Sequence, residues 1–202
     1  FSALEDADVI VDFTVADSAR ENLQHVAKAG IHAVVGTTGL TESDIATLDS
    51  LFQDSNCVVA SNFAISAVLM MRFAEIAAPH FNNVEIIEYH HNSKIDAPSG
   101  TALTTAERIS ALSSEWDKSS TSNRILEGAR GGITEDGISI HSVRMEGMVA
   151  HQDVIFGTEG QTLTIRQDSY DRSSFMPGVL LAVKKVGDFP GITLGLEALL
   201  NL

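Results

Sequence analysis

The chain has 202 residues, 44% of them hydrophobic, and sets 13 lysines and arginines against 27 aspartates and glutamates, a formal charge of −14. That length allows one large domain or two small ones with real cores, while the acidity argues against nucleic acid, whose phosphates would be repelled without a sizeable basic patch. No apolar run approaches the ~20 residues that cross a bilayer and no signal-peptide pattern opens the chain, so a soluble protein with no membrane partner is expected. Its single cysteine rules out an intrachain disulfide framework and fits a reducing, cytoplasmic setting.

In chain order, DVIVDF (8–13) reads as a buried strand, and 16–29 has the spacing of an amphipathic helix ended by Gly30. HAVVG (32–36) is a second strand and 42–53 a helix with Thr41 as N-cap. CVVA (57–60) is a third strand that puts Cys57 in a core. Three short apolar strands with helices between them mean βαβ units and a parallel sheet, half or more of a Rossmann-type dinucleotide-binding fold. The glycine-rich phosphate loop usual to that fold does not follow the first of these strands. Because Phe1 is no natural start and SALEDADVIVDF reads as the middle of a sheet, the chain is expected to be truncated, with the loop upstream. Ligands of such sheets collect at the carboxyl ends of the strands, here Phe13 and Thr14, then GTTG (36–39), then ASNF (60–63). Taken alone, GTTG has an ordinary glycine-bounded turn as its lesser alternative.

A helix over 66–80 follows, with Met70, Met71 and Phe73 expected in the core. VEIIEY (84–89) is a strand and TALTTAERISAL (101–112) a helix. The segment 115–136, rich in Ser, Gly and charge, reads as a mobile excursion. Then 137–145, 148–157 and 161–170 alternate with period two and are consecutive strands. With 84–89 they give a mostly mixed four-stranded sheet, an α+β layer. His141 and His151 on these strands are expected to be structural. DRSSFMPGVLLAVKKV (171–186) returns to helical spacing, with Pro177 in the opening turn and Val179, Leu180 and Val183 as its apolar face. It leads back to the first domain, which sets Arg172 and Phe175 at the crossing.

The segment EYHHNSKIDAPSGTA (88–102) concentrates chemistry on a strand-to-helix loop. The first N–H groups of a helix have no intrahelical partner and carry the positive end of its dipole, so Ser99, Gly100 and Thr101 can cradle a carboxylate or phosphate. His90 and His91 titrate near neutrality and can give or take protons, and Lys94 offers an ammonium. A paired histidine can also be a metal site, but zinc would need further ligands at suitable spacing, so no metal is expected. A small anionic molecule is.

Taken with VDFT (11–14), VVGTTG (34–39), the NF of ASNF, SVR followed by AHQDVIFG, and DRSSFMPG, this long motif makes the chain resemble the 4-hydroxy-tetrahydrodipicolinate (dihydrodipicolinate) reductases over essentially its whole length. The histidine-lysine motif is the specific part; GTTG or DFT alone would be weak. The resemblance implies an oxidoreductase of diaminopimelate and lysine biosynthesis that uses NADH or NADPH. It implies a nicotinamide-binding domain from 1–63 and 174–202, and a domain over 64–173 that binds a small dicarboxylate and builds a homotetramer. By motif, His90 is implied as catalytic acid/base and Lys94 as second proton donor, with His91, Ser99, Gly100 and Thr101 on the substrate. Phe13, Thr14, Gly36, Thr37, Thr38, Ala60, Ser61, Asn62, Phe63, Arg172 and Phe175 are implied on the cofactor. Two rivals stand beside it: a non-catalytic oligomeric anion-binding protein of the same fold, and another Rossmann dehydrogenase of amino-acid metabolism.

Overall fold

Residues 6–113, 116, 121, 123 and 125–202 are described in a computed structural model of the chain, which falls into two units. One takes the chain up to Ile65 and again from Ser173 to Leu202; the other is Ser66–Arg172.

The first unit begins with strand β1 (Val9–Asp12), helix α1 (Ala16–Lys28), strand β2 (His32–Val35), helix α2 (Glu42–Leu51) and strand β3 (Cys57–Val59). Helix α1 buries Ala19, Leu23, Val26 and Ala27, the i, i+4, i+7, i+8 stripe of an amphipathic helix. It stops where Gly30 takes φ +68°, a left-handed conformation that costs glycine little. Thr41 caps α2 reciprocally: its hydroxyl accepts from Asp44 N–H at 3.2 Å, and its own N–H donates to the Asp44 carboxylate at 2.7 Å. Arg20 of α1 donates to that carboxylate at 2.8 Å; with the Thr41 donors it holds Asp44 well below the usual carboxylate range. Leu23, Ala33, Val35, Phe52 and Cys57 share one core, and burial pushes the Cys57 thiol up to about 12, which leaves it inert.

The second unit contains helix α3 (Ile65–Ala77) from its second residue on, strand β4 (Asn83–His90), helix α4 (Gly100–Ser110) and strands β5 (Gly132–Ile133), β6 (Ser139–Arg144), β7 (Ala150–Thr158) and β8 (Gln161–Ser169). Met70 and Met71 enter its core, but Phe73 is 49% exposed, a correction to the expected packing. On α3 the period of 3.6 turns Met70, Met71, Ala74 and Ala77 inward and Phe73 and Ile76 outward. The sheet runs β5-β6-β4-β7-β8, with β4 and β6 parallel and the other pairs antiparallel. It therefore has five strands where four were expected. The extra one is two residues long, paired Gly132 to Ile140 and Ile133 to Ser139, too short to leave an alternating pattern. It lies in the stretch read as an excursion, of which 115, 117–120, 122 and 124 are outside the described residues. Val84, Ile86, Ile140, Val154 and Phe156 face Met70, Ala106, Ile109 and Trp116.

On the opposite face the histidines find cross-strand partners. His141 Nε2 lies 2.8 Å from Glu85, which also pairs with Arg130. His151 Nδ1 lies 2.7 Å from Asp168, which Arg166 also holds.

The chain then makes a 3-10 turn at Arg172–Phe175 and continues as helix α5 (Met176–Lys185), strand β9 (Ile192–Leu194) and helix α6 (Glu197–Leu200). Strand β9 adds to the first sheet, giving the all-parallel order β1-β2-β3-β9. Pro177 sits in the first turn of α5 as expected, but the buried face is Gly178, Val179 and Ala182. Leu180 is 56% exposed, so the expected face is corrected by about a quarter turn. Gly178 packs so closely on the loop after β3 that a Cβ there would lie 2.0 Å from the Phe63 carbonyl oxygen. Among the described residues, no helix is long and apolar enough to cross a membrane.

Candidate active site

In the second unit, β4 ends at His90 and α4 begins at Gly100, and the loop between carries the titratable cluster. Residues two apart on a strand share a face, so Glu88 and His90 point the same way as Val84 and Ile86. Glu88 is wholly buried. Its carboxylate meets His90 Nδ1 at 2.6 Å, accepts two bonds from Arg144 of β6 at 2.7 and 2.9 Å, and accepts the Ser99 N–H at 3.3 Å. Burial alone would raise its pKa, but the bonds from His90, Arg144 and Ser142 outweigh burial and bring it down to about 2. A carboxylate depressed below its ordinary 4.5 stabilises the fold fully above that value, and the contribution fades as pH falls toward 2. Arg144 also donates to the Asp96 carbonyl at 2.8 Å, and the Asp96 carboxylate takes the Lys94 ammonium at 2.7 Å. Lys94 keeps Asp96 below the usual carboxylate range. His90 and Lys94 are thus joined through Glu88, Arg144 and Asp96.

The expected anion cradle lies at the start of α4. Ser99 is buried; its N–H is given to Glu88 and its hydroxyl accepts the Ala102 N–H at 3.3 Å. That hydroxyl caps α4. Gly100 is exposed and has open space where a side chain would stand, so a ligand can reach the main chain there. Thr101 follows in the same turn, its carbonyl accepting from Thr105 at 2.7 Å. His91 is exposed and bonds through Nδ1 to Ser93 at 2.7 Å, apart from the Glu88 network.

In the first unit, the strand ends converge on a second buried carboxylate. Asp12 accepts from Thr14 N–H at 3.0 Å, the Thr14 hydroxyl at 2.8 Å, the Thr37 hydroxyl at 2.7 Å and Asn22 at 3.1 Å. Burial would raise its pKa, and these donors together lower it. Thr37 is therefore buried with its hydroxyl on Asp12, as is that of Thr14, while Thr38 is exposed. A Cβ at Gly36 would lie 2.2 Å from the Phe13 ring, so only glycine lets that half-exposed ring cover the end of β2. Phe13 stacks obliquely on buried Phe63 with centroids 5.3 Å apart. Ala60 is buried and Ser61 exposed, and Asn62 accepts the Ala64 N–H at 2.9 Å. Exposed main chain, small residues and an aromatic wall fit a nicotinamide dinucleotide. Arg172 is the last residue of the second unit and exposed; Phe175 directly precedes α5 in the first.

Neither carboxylate stands out in the sequence, although the strand parity gives a sign for Glu88: it falls in line with two core residues. Asp12→Ala should cost about 1–3 kcal/mol, because the Thr14, Thr37 and Asn22 donors lose a buried acceptor. Asp12→Asn, which can still accept, should cost clearly less. Urea unfolding of the two variants checks this, and equal losses would reject it.

Two family descriptions match the chain, "Dihydrodipicolinate reductase, N-terminus" over residues 1–63 and "Dihydrodipicolinate reductase, C-terminus" over 66–200. A 4-hydroxy-tetrahydrodipicolinate reductase of Corynebacterium urealyticum is 55% identical over 201 residues, which span 96% of this chain and 81% of that one. One from Mycobacterium sp. strain KMS is 52% identical over 210 residues, spanning 100% and 84%. The solved structure of a dipicolinate-bound dihydrodipicolinate reductase from Paenisporosarcina sp. TG-14 is 44% identical and superposes with a TM-score of 0.88, covering 95% of this chain and 73% of that one. The architecture, the histidine-lysine loop and these likenesses agree: the chain belongs to the dihydrodipicolinate reductase family.

Proposed function

We propose that this chain reduces 4-hydroxy-tetrahydrodipicolinate to tetrahydrodipicolinate with NADH or NADPH, serving diaminopimelate and lysine biosynthesis. The observation that carries the reading is the strand-to-helix loop that links His90 and Lys94 to the capped start of α4, in a chain of this family. The Paenisporosarcina relative is dipicolinate-bound, which supports a dicarboxylate here.

Gly100 and Thr101, at the positive end of α4, hold one substrate carboxylate and His91 the other. After loss of water from the substrate, the ring accepts a hydride at C4, and His90 or Lys94 delivers a proton to the neighbouring carbon. When bound, NADH or NADPH supplies that hydride. Phe13, Gly36, Thr38, Ala60, Ser61, Asn62 and Phe63 would hold it, with Arg172 and Phe175 assigned by motif, while Thr14 and Thr37 support it through Asp12. For assembly the reading is a homotetramer built through the second unit, whose outer sheet face leaves Ile87 and Ile155 partly in solvent. A cytoplasmic location accords with the single buried thiol at Cys57.

The test is substrate-dependent oxidation of NADH or NADPH by the purified full-length protein, with Thr101→Val beside it. Turnover with a raised KM in the variant is expected. An anion bound without turnover, or turnover of a different amino-acid intermediate alone, would reject the assignment, and an unchanged KM would remove Thr101 from the substrate.

A further inference from the structure

We propose that Glu88 is the positioning residue of this site: it holds His90 as the tautomer with its proton on Nδ1, so that Nε2 is the nitrogen presented for proton transfer. Through Arg144 it also anchors the loop that carries Lys94. The inference rests on the reading of His90 and Lys94 as the proton-handling pair.

The argument is one of donors and acceptors. Glu88 has no solvent contact and is ionised at neutral pH, so both its oxygens can only accept. Arg144 and the Ser99 N–H can only donate, and they fill both oxygens from one side. The 2.6 Å approach of His90 Nδ1 to the same carboxylate then requires a proton on that nitrogen, which leaves Nε2 of the neutral ring as an acceptor. The partners come from three elements that the sheet brings together. Glu88 and His90 share one face of β4, His90 pairs in register with Arg144 on β6, and Ser99 opens α4. Arg144 reaches on to the Asp96 carbonyl, two residues past Lys94, so one buried carboxylate governs the ring directly and the ammonium at one remove.

A glutamine cannot replace it. Its amide must turn NH2 either toward Arg144 and Ser99, donor against donor, or toward His90, where it forces the other tautomer. The same bonds could instead serve only as a buried ion pair that stabilises the sheet, and the tautomer separates the two roles.

The experiment is 15N NMR of the full chain labelled at histidine, at a pH where the imidazole is neutral, with the His90 signals assigned by their loss in His90→Gln. The wild type is expected to show a protonated Nδ1 and an unprotonated Nε2. Glu88→Gln is expected to shift that balance and to lower kcat tenfold or more with a smaller change in KM. A wild-type ring protonated on Nε2, or wild-type kcat in folded Glu88→Gln, would overturn the proposal. If Glu88→Gln does not fold, the wild-type tautomer alone decides. Full turnover in His90→Gln would instead defeat the underlying assignment of His90, while the tautomer still reports whether Glu88 orients the ring.

Discussion

Lys94→Ala and His90→Ala should each lower kcat by roughly 10²-fold or more, the range expected when a positioned acid or base is removed. The loss should fall on turnover and not on folding. Lys94 pairs with Asp96 at the surface, and an ion pair in contact with water contributes little to stability. Removing His90 leaves Glu88 still held by Arg144 and Ser99, so no buried charge is stranded. Steady-state kinetics beside thermal unfolding separate the two effects. Both variants should unfold close to the wild type, with kcat reduced and KM much less changed. Near-wild-type turnover in both would remove proton transfer from this loop, and a collapse of stability in either would mean that its bonds matter more to the fold than the exposed ion pair suggests.

The contrast between these surface-reaching groups and the carboxylates behind them explains what could be read from the residues. The parallel strands were legible because VIVD, HAVV and CVV are mainly apolar runs, but β1, expected to be buried, lies at the end of the sheet order, buries only Asp12 and leaves Val11 46% exposed. Gly30 and Thr41 mark helix ends by chemistry that acts within one turn. That His90, Lys94 and Gly100 share one strand-to-helix loop was legible because loop and helix start adjoin in sequence. Glu88 and Asp12 were not, since their partners are set by strand register: Arg144 lies 56 positions from Glu88, and Thr37 lies 25 positions from Asp12. The Ser99 N–H likewise goes to the buried carboxylate eleven positions earlier, a bond that the local motif does not announce. Phe73 and Leu180 went to the wrong face because both helices are apolar almost all round, which erases the contrast that a periodic reading needs. Strands of two and three residues, β5 and β9, are too short to show any period.

Gly178→Ala should destabilise the protein and weaken nucleotide binding together. In most helix interiors the same exchange stabilises, because alanine is the better helix former by about 1 kcal/mol. Here the added methyl would stand 2.0 Å from the Phe63 carbonyl oxygen and 3.0 Å from both the Phe63 carbonyl carbon and Leu196. The oxygen is main chain, so no rotamer change can relieve the contact; the first turn of α5 or the loop after β3 must move. Overpacking of this kind costs about 1–3 kcal/mol, which exceeds or matches the propensity gain and in a chain of this size corresponds to a few degrees in Tm. The displaced loop includes Phe63, which supports Phe13 over the strand ends, so the nucleotide should bind more weakly as well. Gly187→Ala is the control: a Cβ there meets only His32, at 3.8 Å, an ordinary contact. Thermal unfolding with fluorescence titration of NADH and NADPH should show both losses in Gly178→Ala and neither in Gly187→Ala. An unchanged Tm and affinity in Gly178→Ala would mean that α5 does not press on the β3 loop as closely as its glycine implies.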